Sequence, residues 1–435
     1  MGSWAARHRG LIIVLALALA LRLGAAVSVQ HLLDHKLHRL CLIPGDAEGY
    51  WELGRKLAAG ESYAIYEPPR SVLRTPGFPL VLAAGMTVFG ENYLALRCLL
   101  AGIGTLACGL VYWLGGVLQE REAALPAAAF AAASPAQVGM SVLFLSDTCF
   151  AVALLASVLS LARLVSQSGS SVPNVEPKPR KLQALAAGVL SGTACLFRPS
   201  WLLFPPLFLF AWILRSRGTA RVLAESGLVL VGLGLALGPW TYRNYQVTGH
   251  FIPTSLWLGP SLYDGLNPGA TGESDMRFIE QDGLYARMSE YEVDQHYRQA
   301  AWDFTREHPG RVVQLAVVKF WRFWKPWPTA PQLNQPAFQA IVAAYTVVIM
   351  LCACVGFVAP LGAGSGVSRF WRNLVSAGPI LYFAALHAVF VGSLRYRLPA
   401  EYALLVLSGI GAQWLRKRWA KCRQGESRPG IVAAG

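Results

Sequence analysis

Long apolar stretches separated by short basic links constrain this chain more than any single motif does. A hydrocarbon core about 30 Å thick takes about 20 helical residues to cross, and a backbone inside it must satisfy its own hydrogen bonds. Stretches of this kind therefore fold as membrane helices. The spans read from the sequence are Leu11–Val29, Tyr93–Leu118, Ala123–Ser141, Asp147–Val165, Leu182–Phe197, Trp201–Leu214, Val222–Trp240, Phe338–Ala359, Pro379–Val391 and Ala400–Leu415. The expected fold class is an all-α polytopic membrane protein with about ten transmembrane helices plus juxtamembrane helices. The first span has a basic start and an apolar run of about 19 residues, long enough to stay as an uncleaved helix.

An even number of crossings puts both termini on one side. The basic links Arg163–Lys181, Arg215–Arg221 and Arg369–Arg372 and the tail Arg416–Arg423 all fall on that side, which the positive-inside rule makes cytoplasmic. Gly77–Gly90 is apolar but, at about 14 residues, short for a span, and counting it would invert every later basic link. It reads as a juxtamembrane or re-entrant helix. The chain then divides into a first transmembrane helix (1–29), a first outer loop with juxtamembrane helices (30–92), a transmembrane bundle (93–240), a large outer loop (241–336), a C-terminal bundle (337–415) and a cytoplasmic tail (416–435). Ser166–Pro179 reads as a flexible cytoplasmic linker, and the large outer loop has helical patterning around Glu290–Glu307. That loop ends in Phe320-Trp321-Arg322-Phe323-Trp324-Lys325-Pro326-Trp327, an aromatic and basic run suited to lipid headgroups.

The net charge of +14 does not point to nucleic acid, because the Lys and Arg residues cluster in the links between apolar spans. Cys98, Cys108, Cys149, Cys195, Cys352 and Cys354 lie within spans and only Cys41 and Cys422 outside, a pattern with neither a disulfide framework nor metal-ligand spacing. The sequence names no cofactor. A divalent metal, shared by Asp46 and Glu48 or oriented by Asp147, is an open alternative that the sequence allows and does not require.

Carboxylates placed just beyond an apolar span meet membrane-bound substrates first. Pro44-Gly45-Asp46-Ala47-Glu48-Gly49-Tyr50-Trp51 supplies such a pair in the first outer loop. After Pro44-Gly45, Asp46 reads as the N-cap of a helix through Tyr50, Leu53 and Leu57, either as a cap only or as a general base supported by Glu48. Ser146-Asp147 opens a later span on the same side, as a cap or as a second carboxylate facing Asp46. Arg74, Arg198, Arg243, Arg395 and Arg397 fall at outer ends of spans, against the charge bias, where guanidinium forks could hold a lipid phosphate or pair with headgroups and loop acids. Arg395-Tyr396-Arg397-Leu398-Pro399, between two spans, is the most specific of these. Arg22, Arg97, Glu225 and His387 lie within or near spans and are given no role.

Taken in order, Gly45-Asp46-Ala47-Glu48-Gly49-Tyr50, Arg74-Thr75-Pro76-Gly77-Phe78-Pro79, Ser146-Asp147, Phe197-Arg198-Pro199, Pro239-Trp240-Thr241-Tyr242-Arg243-Asn244 and Arg395-Tyr396-Arg397-Leu398-Pro399 carry a resemblance. The chain resembles the dolichyl-phosphate-mannose protein mannosyltransferase and aminoarabinose transferase-like group of GT-C glycosyltransferases, from Leu11 to Leu415. The resemblance implies a polyprenyl-phosphate sugar donor, an acceptor on the non-cytoplasmic side, and inversion at the anomeric carbon. Asp46 inherits the catalytic role, with Glu48 and Asp147 beside it, the five arginines as donor-phosphate ligands, and Tyr50, Asn244 and Tyr396 as substrate contacts. Ala47 separates Asp46 from Glu48 where protein mannosyltransferases have adjacent Asp and Glu, and the large soluble modules of some relatives are missing. Sugar and acceptor stay open. A bacterial inner membrane is the expected location. The rival reading is a transporter or flippase for a lipid-linked sugar or another amphipathic anion, against which stand the lack of an internal repeat and the candidate residues' common face.

Overall fold

A computed structural model describes residues 2–118, 120–167, 180–361 and 367–423. Among them the chain forms α1 (Gly2–Leu32), α2 (Asp46–Ala58), α3 (Gly77–Phe89), α4 (Tyr93–Val117), α5 (Arg121–Ala133), α6 (Pro135–Met140), α7 (Asp147–Gln167), α8 (Arg180–Phe197), α9 (Phe204–Arg215), α10 (Ala220–Thr248), α11 (Leu258–Gly265), α12 (Phe278–Asp282), α13 (Glu290–Glu307), α14 (Pro309–Trp324), α15 (Pro336–Val358), α16 (Arg369–Val389) and α17 (Leu394–Arg423). The protein is an all-α polytopic membrane protein. Most of the linker expected over Ser166–Pro179, and the tail beyond Arg423, lie outside the described residues.

Helices α1, α4, α7, α10 and α15 are long and apolar enough to cross a membrane by length and composition. The other expected spans are differently built. Ala123–Ser141 is not one helix: Ser134 caps α6, Pro135 follows at its first position, and α5 stops at Ala133, because a proline ring disfavours helical geometry in the residue before it. The last two spans begin earlier than their apolar residues. Arg369–Arg372 is the first turn of α16 rather than a link, and Arg395–Pro399 lies inside α17 rather than between helices, with Pro379 and Pro399 accommodated within the two helices. The α3 helix, with 13 residues, is about 20 Å long and does not reach across a bilayer core; it packs on α2.

At the centre stands α17, in contact with α4, α5, α7, α14, α15 and α16. Its residues 397–411 are all buried, as expected of a helix surrounded by others rather than by lipid. Small residues allow the closest crossings. A Cβ on Gly411 would lie 1.9 Å from the Cys352 carbonyl of α15, and one on Gly356 would lie 1.9 Å from the Leu407 carbonyl of α17. Gly188 and Gly232 do the same for α8 and α10. Over one end of this bundle lies the segment 249–335, where α11 packs on α13 and α14 packs on α16 and α17.

Candidate active site

At that end the first residues of α2, α7 and α17 meet the last of α8. The chain enters α2 through Gly45, whose φ of 83° is a conformation favouring glycine. Gly45, not Asp46, is the N-cap; Asp46 is the first helical residue. Glu48 turns back so that its carboxylate accepts the Gly45 N–H at 3.2 Å, which leaves the Asp46 carboxylate for other partners. Arg198 is extended (φ −148°, ψ 115°), the geometry a following proline imposes, and this projects its side chain beyond α8.

These residues form an alternating chain of charges. Arg74 Nη2 meets Asp46 Oδ1 at 2.9 Å, and Asp46 Oδ2 meets Arg395 Nη1 at 3.0 Å. Arg395 Nε then meets Asp147 Oδ2 at 3.1 Å, and Asp147 Oδ1 meets Arg198 Nη2 at 2.8 Å. Each carboxylate spans a pair of guanidiniums, the charge-assisted geometry that holds such groups in place. Asp147 is 2% exposed, whereas the Asp46 side chain is 41% exposed. Asp147 also sits at the N-terminus of α7, where the helix dipole favours negative charge. Partial burial raises the Asp46 carboxyl, but the Arg74 and Arg395 guanidiniums outweigh it and hold the group well below the usual carboxylate range.

Aromatic rings and a hydroxyl complete the shell. Arg74 stacks 4.5 Å over Tyr50, and Arg198 and Arg395 lie 5.5 and 5.9 Å from the Tyr396 ring. Arg198 Nε donates to Ser146 Oγ at 3.3 Å, and the Tyr50 hydroxyl reaches the same oxygen at 3.4 Å. The structure thus brings together Asp46, Asp147, Arg74, Arg198, Arg395, Tyr50 and Tyr396 of the residues singled out in the sequence.

Four others are engaged elsewhere. Glu48 caps α2, as above. Arg397 is fully buried, pairs with Glu401 at 3.0 Å and donates to the carbonyls of Phe323 and Lys325, both at 3.1 Å. Asn244, also fully buried, donates to the Ile252 carbonyl at 3.0 Å. Arg243 donates to the carbonyls of Ser71 at 2.6 Å and Tyr63 at 3.1 Å. His387, given no role in the sequence, stacks on Tyr396 with ring centroids 4.3 Å apart and planes 3° off parallel. It fixes the ring on which Arg198 and Arg395 rest. No spacing pattern ties position 387 to 396 in advance, because the contact is made across the turn between α16 and α17.

Beside the charge chain a cavity of about 670 Å³ runs between α1, α6, the 328–335 segment and the start of α17. Its walls are mostly apolar, including Val29, Leu32, Met140, Leu143, Phe338 and Leu398, and its polar groups include Arg395, Tyr396, Ser393 and Arg322. Arg395 belongs both to the cavity wall and to the charge chain. Among the described residues no group of three or more His, Cys, Asp or Glu is arranged to hold a metal ion.

The described residues thus form an all-α membrane bundle with paired carboxylates and arginines at one end. A sequence model of the dolichyl-phosphate-mannose-protein mannosyltransferase family matches residues 73–240. The fold is similar to that of the oligosaccharyltransferase AglB from Archaeoglobus fulgidus in complex with an inhibitory peptide and a dolichol-phosphate (TM-score 0.51, 15% identity, 99% of this chain and 53% of that one). The apo form of the Archaeoglobus fulgidus oligosaccharyltransferase gives a TM-score of 0.53 at 15% identity, with 99% and 54% covered. ArnT from Cupriavidus metallidurans bound to undecaprenyl phosphate aligns with a TM-score of 0.46, 16% identity and coverage of 98% and 82%. The chain spans about half the length of the oligosaccharyltransferases. No curated protein sequence matches it.

Proposed function

We propose that this protein transfers a sugar from a polyprenyl-phosphate-linked donor to an acceptor on the non-cytoplasmic face, with inversion at the anomeric carbon. The observation that carries the reading is the double membership of Arg395. Its guanidinium is at once a wall of the apolar cavity and the link between Asp46 and Asp147. A lipid tail in the cavity would bring its phosphate to that guanidinium, with Arg74 and Arg198 on either side of the two carboxylates. The family match over residues 73–240 supports the same donor class, and the basic links of the sequence support the sidedness.

In the transfer, the acceptor's hydroxyl or amine attacks the anomeric carbon while its proton passes to the Asp46 carboxylate. The bond from that carbon to the phosphate oxygen breaks, and the polyprenyl phosphate leaves with the electron pair. The arginines stabilise the negative charge that grows on the leaving phosphate, where fixed cations act most strongly. Asp46 is a weak base while both its arginines face it. A donor phosphate competing for those guanidiniums frees the carboxylate and raises its basicity. The base is then armed by the substrate.

The test is transfer by the purified full chain. Labelled polyprenyl-phosphate sugars are offered with membrane-derived lipid, glycan and protein acceptors, and glycosylated product is measured. Product formation that is lost in Asp46→Asn supports the reading. A chain that moves the donor across vesicle membranes and glycosylates nothing is a transporter, and the reading fails.

A further inference from the structure

The strap from Tyr63 to Pro76 carries Arg74 to the charge chain, and side chains from distant parts of the sequence grip its backbone. Glu290, the first residue of α13, accepts the N–H groups of Ser71 at 2.7 Å and Val72 at 3.0 Å on one oxygen, Oε2. Arg243, near the end of α10, takes the Ser71 carbonyl on the other side at 2.6 Å. The same guanidinium reaches the Tyr63 carbonyl, and the Tyr63 hydroxyl in turn donates to the carbonyls of Arg74 at 3.1 Å and Thr75 at 3.2 Å. Arg74 depends on this frame for its reach. It has a single 2.9 Å contact to Asp46 and a stack on Tyr50, and a displacement of about 1 Å at such a site costs on the order of a hundredfold in function.

From these contacts we infer that Glu290 and Arg243 are positioning residues that set the reach of Arg74, so that α13 governs donor-phosphate binding through the strap without Glu290 or Arg243 touching the phosphate. The inference rests on the reading of Arg74 as a donor-phosphate contact. Arg243 therefore acts through the strap, and Glu290 gives the 249–335 segment a hold on the site from the opposite side of the same residue, Ser71. Both grips use backbone atoms, so the identity of the side chain at position 71 is immaterial to them. What matters at 290 is an acceptor oxygen able to take adjacent N–H groups.

The experiment uses the full chain in detergent and reads hydrogen exchange over residues 63–76 and binding of undecaprenyl phosphate. It compares the parent with Arg74→Ala, Glu290→Ala, Glu290→Gln and the Arg74→Ala/Glu290→Ala double variant. Glu290→Ala is expected to speed exchange at Ser71 and Val72 about tenfold or more and to weaken binding toward the level of Arg74→Ala. The double variant binds no more weakly than Arg74→Ala, because residues acting as a unit are non-additive. Glu290→Gln, which keeps an acceptor oxygen, restores most of both. Unchanged exchange over the strap in Glu290→Ala overturns the inference, as does a double variant whose loss is the product of the single losses. If Glu290→Ala does not fold, Glu290→Gln is compared with Glu290→Asp, whose shorter arm should loosen the strap and weaken binding. Equal behaviour of those two overturns the inference. A parent chain that does not bind undecaprenyl phosphate sinks the donor reading, while exchange over the strap still decides whether Glu290 holds it.

Discussion

Replacing Asp46 by Asn separates proton transfer from electrostatics at this site. Arg74, Arg198 and Arg395 against Asp46 and Asp147 give a formal charge of +3 − 2 = +1. Asn keeps the shape of Asp46 and one oxygen for an arginine, and raises that sum to +2. The added attraction for a phosphate is large by Coulomb's law in a protein interior. The Asp46 side chain is 41% exposed, however, so solvent reduces the gain to about 1 kcal/mol, or roughly fivefold tighter binding. Loss of a dedicated base lowers the rate by about a hundredfold to ten-thousandfold. The expected variant therefore binds undecaprenyl phosphate at least as tightly as the parent and transfers sugar at a small fraction of its rate. Isothermal titration and a product assay on the same preparation read the two quantities. Near-normal transfer by Asp46→Asn refutes the base assignment and makes Asp147 the next candidate. Weakened binding in step with lost transfer refutes it too, because Asp46 would then serve to hold Arg74 and Arg395 in place.

Arg395→Ala should weaken undecaprenyl phosphate binding about tenfold or more, since it removes one charge-assisted contact and the positive excess together; unchanged affinity by titration would contradict the donor site. Burial raises the free Asp46 carboxyl, its arginines lower it further, and the balance leaves it well below the usual range. Its ionised, paired form thus contributes above the unfolded pKa and is lost only as pH falls through the depressed folded value. Because donor phosphate draws those arginines away, the acid limb of kcat should lie at higher pH than that of kcat/KM, as pH–rate profiles would show. Arg397→Ala leaves Glu401, 1% exposed, without its buried partner, so detergent unfolding should show a loss of about 3–5 kcal/mol; a fully stable variant would argue against that buried pair. Cysteines placed at 171 and 271 should label from opposite membrane faces, and labelling from one face would refute the ten-crossing topology.

Much of this architecture was legible because the physical signals are local. Hydropathy and length mark α1, α4, α7, α10 and α15 as long enough to cross, and the short Gly77–Phe89 helix is distinguished by length alone. Helix starts were less legible. Polar first turns such as Arg369–Arg372 and Arg395–Arg397 look like links when read by hydropathy, yet they belong to α16 and α17. The same limit governs the site. Arginine at the outer end of a span signals an anionic partner, and the signal is indifferent to whether that partner is a ligand, a carboxylate or a carbonyl. Arg74, Arg198 and Arg395 find Asp46 and Asp147. Arg397 finds Glu401, and Arg243 finds backbone carbonyls. One turn of α17 decides the contrast between Arg395 and Arg397: side chains two residues apart on a helix point about 200° apart, so one faces the cavity and Asp46 while the other faces the interior and Phe323. Once α17 is known to begin before Arg395, that division follows from helical geometry, and the helix start is the single fact the sequence pattern did not supply.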